Sequence, residues 1–418
     1  MTEIRQPSPR RGTNLPRMGD FNLTVILDAI RRAPDSGLSR VELAQIVGLS
    51  PQTISNISRR LLDQNLIVEA GKEGTGPGKP RTMLRLNASG KYAVGVHLDP
   101  AVITCVVLDL VGDVVQHCRI KTPGSQIPEE VIETIAAAIK SVIADSGVDS
   151  ALIAGLGVAA PGPIDLTEGT VVDPPLMLGW DHVPLRDALA KATGLPTLVD
   201  KDVTSAAVAE TWAGGPSGAG SFVFMYMGTG IGCGIVLRDE VVRGTSGNAG
   251  EMGHIVVDPG GALCDCGQRG CVKATAIPRV LVAQAEQAGI LAPLGPNPSG
   301  PAIQESFAQL CAKADDGDPR ASEIIDRSAV LVARAASAVS NVLDVDRIVF
   351  GGPFWTCLSE RYLALIPDLI RAGSDTRDIH STDVVASGVG EDVGAIGAAC
   401  LVLEHALAPR AQRLLLDA

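Results

Sequence analysis

Gly250-Glu251-Met252-Gly253-His254, then Cys264-Asp265-Cys266-Gly267-Gln268-Arg269-Gly270-Cys271, sets three thiols within one short loop and an imidazole just upstream. The chain has nine cysteines, and the other six are scattered: Cys105, Cys118, Cys233, Cys311, Cys357 and Cys400. An odd, scattered set at this length does not make a disulfide framework and points to a reducing, cytoplasmic compartment, where thiolates at such density bind metal. Gly267 and Gly270 let the backbone turn tightly enough to aim the sulfurs inward. With His254 as fourth ligand, Cys264, Cys266 and Cys271 form a Cys3His set for Zn²⁺, a closed tetrahedron with no position open to substrate, so the metal is expected to be structural.

Around this loop lies a chain of 418 residues, 46% hydrophobic and 20% charged, which excludes long disordered or fibrous architectures. Aromatics are only 3%, against 46 Gly and 27 Pro, which favours an α/β protein with many tight turns. The N-terminus has no apolar core, so it is not a secretory signal, and no apolar run approaches the ~18 residues of a spanning helix. The formal net charge of −12 hides a division: residues 1–95 carry 14 Lys+Arg against 8 Asp+Glu, a net of +6, and the remainder carries −18. A basic head on an acidic body suggests two jobs.

The head begins with a basic arm over residues 1–20, expected to be flexible. A first helix is expected over Asn22–Arg32, where Leu23, Ile26, Leu27 and Ile30 share a face. Ser39 and Glu42 have capping-box spacing for a second helix that stops at Gly48. Ser50-Pro51 opens a third helix to about Asn65. Two strands, Leu66–Ala70 and Thr82–Leu86, flank a Gly/Pro-rich loop. The result is a winged helix-turn-helix over residues 21–90. Gln52, Thr53, Ser55, Asn56, Arg59 and Arg60 on the early turns of the third helix are base- and phosphate-reading types, and Lys72, Lys79 and Arg81 lie on the wing. One such head gives little affinity alone, so a homodimer or tetramer on a double-stranded operator with two half-sites is expected.

From Tyr92 strand and helix patterns alternate to the end, as in an α/β body of two lobes. Within it stand, in order, Ala160-Pro161-Gly162-Pro163-Ile164-Asp165, Asp200-Lys201-Asp202, Gly228-Thr229-Gly230-Ile231-Gly232-Cys233-Gly234, the Glu251–His254 segment, the cysteine loop and Gly351-Gly352. With these, residues from about Tyr92 to Glu404 resemble the ROK family of sugar kinases and sugar-responsive repressors, and the added head matches its repressor branch. The resemblance implies an actin-like fold. Its first lobe would span 91–203, joined by a C-terminal helix at about 390–418, and its second lobe, with the zinc motif, 204–389. It also implies a sugar cleft lined by Gly162, Asp202, Glu251 and His254, and a second phosphate loop at Gly228, Thr229, Gly230 and Gly232.

The departures from the family decide the expected function. His97-Leu98-Asp99-Pro100-Ala101 stands where the kinases carry a glycine-rich phosphate loop. A carboxylate repels phosphate and Pro has no N–H to offer it, so the phosphate loops are expected to be vestigial, Asp202 to be a relic of a catalytic base, and the chain not to be an enzyme. Lys201 and Lys273 replace an Asn and a Glu among the family's sugar contacts. Either they make the cleft welcome an anionic sugar derivative, or they pair with Asp202 and Glu251 and fill it. The expected protein is a cytoplasmic ROK-type regulator, a repressor, whose DNA binding answers to a carbohydrate-related effector, with no membrane association. Its rivals are an ATP-dependent sugar kinase with an accessory DNA-binding head and a zinc-stabilised regulator with no ligand.

Overall fold

The computed structural model describes residues 15–33, 36–73 and 80–407. The wing residue Lys79 and most of the expected N-terminal arm therefore lie outside the described residues. In the head, the first helix runs Leu15–Arg31 and so opens seven residues earlier than the apolar pattern suggests. Ser39 caps the helix Arg40–Val47 through a complete capping box with Glu42, and Gly48 ends it in the left-handed region at φ 67°. Ser50 caps the helix Pro51–Asp63 by accepting from the Thr53 amide. Behind these helices, Ile67–Glu73 and Arg81–Leu86 pair antiparallel to form the wing. A two-residue strand, Leu38–Ser39, adds to its other edge against Met83 and Leu84, too short to show any alternation in the sequence. Ile26, Leu43, Ile54, Leu61 and Leu84 fill the centre of the head and are fully buried.

The body contains two five-stranded sheets. The first has the order Thr197–Lys201, Ile153–Ala160, Tyr92–Leu98, Val102–Asp109, Val114–Lys121. The second has the order Asp383–Ala386, Arg347–Gly351, Phe222–Met227, Ile231–Leu237, Glu240–Val241. In each, the first strand of the chain lies at the centre, the next two extend it antiparallel and the last two extend it parallel. The two lobes thus share one topology, in keeping with a duplicated plan.

Two helices lie between the sheets and pack on each other: Asp202–Ala213 against the second sheet and the C-terminal helix Val393–Leu407 against the first. Glycine sets their spacing. A Cβ at Gly95 or Gly157 on the first sheet would collide with the carbonyls of Ala395 and Ala398, and one at Gly397 with the carbonyl of Ser205. This close approach explains why the strand Ile153–Ala160, beside the central strand, is rich in small residues. No described helix is long and apolar enough to cross a membrane.

Candidate functional site

The cleft between the lobes holds a cavity of about 520 Å³. The strand Thr197–Lys201 delivers Lys201 to its wall, and Asp202 follows at once as the first residue of the next helix. The opposite walls come from Pro161-Gly162, from Thr229, Gly230 and Gly232, and from Glu251 and Lys273. All of these are expected at the cleft from the sequence, although they are spread over more than one hundred residues. Arg279, exposed beyond Lys273, also lines the cavity; nothing in its helical context marks it as a ligand contact in the sequence.

Burial pushes the Asp202 carboxyl up to about 7, with the carboxylates of Asp99 and Glu251 acting in the same direction and Lys201 and the Val203 N–H opposing them. Ionising Asp202 therefore weakens the fold as pH rises from the ordinary Asp range through about 7. Lys201 is buried, and its Nζ lies 3.5 Å from Glu251 Oε2. Lys273 pairs instead with Asp265 at 3.1 Å, at the rim of the cysteine loop. Of the pairings considered from the sequence, Lys201 does meet Glu251, while Lys273 serves neither Glu251 nor Asp202. The cleft is therefore not filled by its own lysines.

The stretch His97–Ala101 behaves as its residue types require. Asp99 folds back: its Oδ1 accepts from the Ala101 amide at 2.7 Å and its Oδ2 from Thr229 Oγ1 at 3.0 Å. Thr229 belongs to the second glycine-rich loop, in the other lobe. Beside this bond, His97 Nε2 and the Tyr226 hydroxyl share a hydrogen bond of 2.9 Å, with the rings edge to face. Both side chains are buried, and desolvation lowers the His97 pKa, so the imidazole is neutral. The stretch His97–Ala101 and the segment Tyr226–Thr229 are thus bonded directly to each other across the lobes.

On one side of the cleft stands the cysteine loop. His254 Nδ1 lies 3.5 Å from Cys264 Sγ, and Cys266 Sγ lies 3.6 Å from Cys271 Sγ. All four donor atoms fall within 4.8 Å of one another. With bonds of ~2.3 Å to sulfur and ~2.0–2.1 Å to nitrogen, the edges of a tetrahedral Zn²⁺ site are about 3.8 Å for S–S and about 3.5 Å for S–N, so this donor set fits. Gly270 sits in the left-handed region at φ 71°, where a Cβ would run into the Asp258 carbonyl, so only glycine can occupy the position. The backbone is tied by Cys264 N–H to Gln268 O and by Gly270 N–H to Ala262 O, both 2.8 Å. His254 contributes to this set; its side chain is not part of the cavity wall, in contrast to the double role expected of it.

In the head, Gln52, Asn56, Arg59 and Arg60 are exposed along one side of the third helix, with Gln52 Nε2 donating to Asn56 Oδ1 at 3.3 Å. Ser55 and Thr53 are half-exposed, and Thr53 is engaged with the cap residue Ser50. Lys72 and Arg81 are exposed on the wing. The helix face and the wing therefore offer one polar, basic surface.

Residues 93–405 match the ROK family, and residues 25–68 match a winged helix-turn-helix DNA-binding family. The chain belongs to the ROK family. A glucokinase from Halalkalibacterium halodurans is 30% identical over 334 residues, covering 76% of this chain and 96% of that enzyme. A xylose repressor from Caldicellulosiruptor bescii is 27% identical over 245 residues, covering 59% of this chain and 61% of the repressor. The chain thus spans about three-fifths of the length of the ROK repressors it matches. A solved ROK family transcriptional regulator, a homologue of the E. coli MLC protein, has the same fold: TM-score 0.72 at 24% identity, covering 96% of this chain and all of that one.

Proposed function

We propose that this ROK protein is a sugar-responsive DNA-binding repressor with a non-catalytic body. The observation that carries this reading is the pair of cross-lobe bonds, Asp99 to Thr229 and His97 to Tyr226, in a chain that also carries a winged head. A kinase needs both loops free to offer backbone N–H groups to phosphate; here a carboxylate occupies one loop and is consumed by the other. Without a positioned nucleotide, Asp202 has nothing to transfer, and its carboxyl serves to bond a ligand hydroxyl.

The effector is a sugar held at Asp202 and Glu251. Its anionic substituent lies toward Arg279, which has no partner among the described residues, and Lys273, held only by the exposed Asp265. Zn²⁺ at His254, Cys264, Cys266 and Cys271 fixes the loop that carries the cleft wall at Cys264 and Asp265. When bound it supplies a structural tether and no Lewis-acid position for substrate. Gln52, Asn56, Arg59 and Arg60 read the operator from the major groove, and Lys72, Lys79 and Arg81 hold the wing to phosphates. Two copies of the chain bind two half-sites, and the effector acts by binding one closure state of the lobes better than the other.

The helix Asp202–Ala213 connects the two functions. It starts in the cleft and ends, about 18 Å away, at Trp212, whose carbonyl accepts from Arg31 Nη1 of the head at 3.0 Å and whose ring lies 4.5 Å from the same guanidinium. Calorimetric titration with neutral and phosphorylated pentoses and hexoses, alongside an ADP-release assay with the same panel, tests the reading. Sugar binding without ADP release supports it; turnover of any sugar with ATP refutes it.

A further inference from the structure

A second cavity, about 410 Å³, lies between the head and the body, on the far side of the strand that ends at Lys201. Leu27 of the first helix, Leu198 of the body strand and Leu401 of the C-terminal helix give it apolar walls. Its charges are arranged unevenly. Arg31 is satisfied by Asp28 and by the Trp212 carbonyl. Arg243 spends only its Nε, on Asp200 Oδ2 at 3.0 Å, and its terminal nitrogens have no acceptor among the described residues. Glu404 has no hydrogen-bond donor among the described residues. Glu404 is an exposed residue on the cavity's edge, and Arg243 and then Arg31 are the cations that act most on its carboxyl. A guanidinium edge and a carboxylate thus face one space within electrostatic reach of each other, without bonding, among apolar side chains.

We infer that this junction cavity is a ligand site for a small zwitterion with an apolar body, of which an apolar α-amino acid is the simplest form. The ligand's carboxylate meets the Arg243 terminal nitrogens, its ammonium meets Glu404, and its side chain lies against Leu27, Leu198 and Leu401. A mono-charged analogue would forgo the ion pair with either Arg243 or Glu404, and that sets the specificity. The occupant touches the first head helix, the strand that enters the cleft and the C-terminal helix at once. It would therefore set the seat of the head on the body, independently of what fills the cleft.

The test is titration calorimetry on the full chain with L-leucine and L-phenylalanine, with 4-methylpentanoate and 3-methylbutylamine as mono-charged controls. Saturable binding of an amino acid is expected, weakened about tenfold or more by loss of either charge on the ligand. Arg243→Gln and Glu404→Gln should each remove it, and Lys201→Asn, in the cleft, should leave it unchanged. Circular dichroism melts of the variants check that they fold. Because Lys201→Asn reports on the cleft and Glu404→Gln on the junction, failure of this site is distinguishable from failure of the sugar-binding reading. Three results would overturn the inference: no binding by either amino acid, binding that survives both junction substitutions, or binding that appears only when the chain is cut after Leu407. The last would assign the cavity to the chain's own C-terminal residues.

Discussion

Two short loops border the same cleft and have opposite fates. The cysteine loop keeps every feature its chemistry needs: three thiols, an imidazole, and Gly270 where only glycine fits. The phosphate loop keeps none. In the proposed reading Asp99 and Pro100 stand where a kinase would offer N–H groups to a nucleotide, and Asp99 is tied to Thr229. The first loop holds the cleft wall in shape, which a sensor needs as much as an enzyme does. The second ties the two lobes to each other through Asp99 and Thr229. What a site must still do is read from which of its geometric demands are met.

The contrast breaks if the cysteine loop proves dispensable. Cys264→Ser or Cys271→Ser should cost about 3 kcal/mol or more, since a metal ligand is lost beside a buried loop, and metal analysis should show about one Zn²⁺ per chain falling toward none. Retained stability and metal content would show that the loop is only a thiol cluster.

The head offers the next largest effect. Arg59→Ala or Gln52→Ala should weaken operator binding by about 1–3 kcal/mol each if they reach base edges, and Lys72→Ala should act evenly across DNA sequences. Gel-shift titrations over several salt concentrations separate these outcomes. Further down the scale, the Asp202 carboxyl titrates near 7. A sugar hydroxyl donates to the ionised form, so effector affinity should rise about tenfold from pH 6 to pH 8, and Asp202→Asn should flatten the profile in calorimetry. A pH-independent affinity would remove Asp202 from the site. The smallest effect belongs to the phosphate loop: Thr229→Val should cost about 1 kcal/mol in chemical denaturation and confer no affinity for ATP. Nucleotide binding in that variant would mean that the loop is masked and not lost.

The parts of the molecule readable from sequence are those whose physics is local. The Ser39–Glu42 capping box, Gly48 in its left-handed turn and the Cys-x-Cys-x4-Cys spacing each act over a few residues, and each appears as expected. The rest depends on chain segments that meet only in the fold. The pairing of Asp99 with Thr229 spans 130 positions. Arg279 reaches the cleft only because its helix follows the cysteine loop. Strand Leu38–Ser39 exists because Met83 and Leu84 supply its partner. The approach of His254 Nδ1 to Cys264 Sγ joins residues ten positions apart. The junction of Arg31 with Trp212 likewise has no signature in either segment alone.

The central claim is that the head reads DNA and the cleft controls it. Selection of bound fragments from a genomic library with the full-length protein, followed by elution with single sugars and sugar phosphates, tests this most directly. The account predicts enrichment of a short two-half-site sequence and its release by one carbohydrate without ATP. Fragments no more enriched than sheared background, or an enriched site that no carbohydrate releases unless ATP is present, would contradict it.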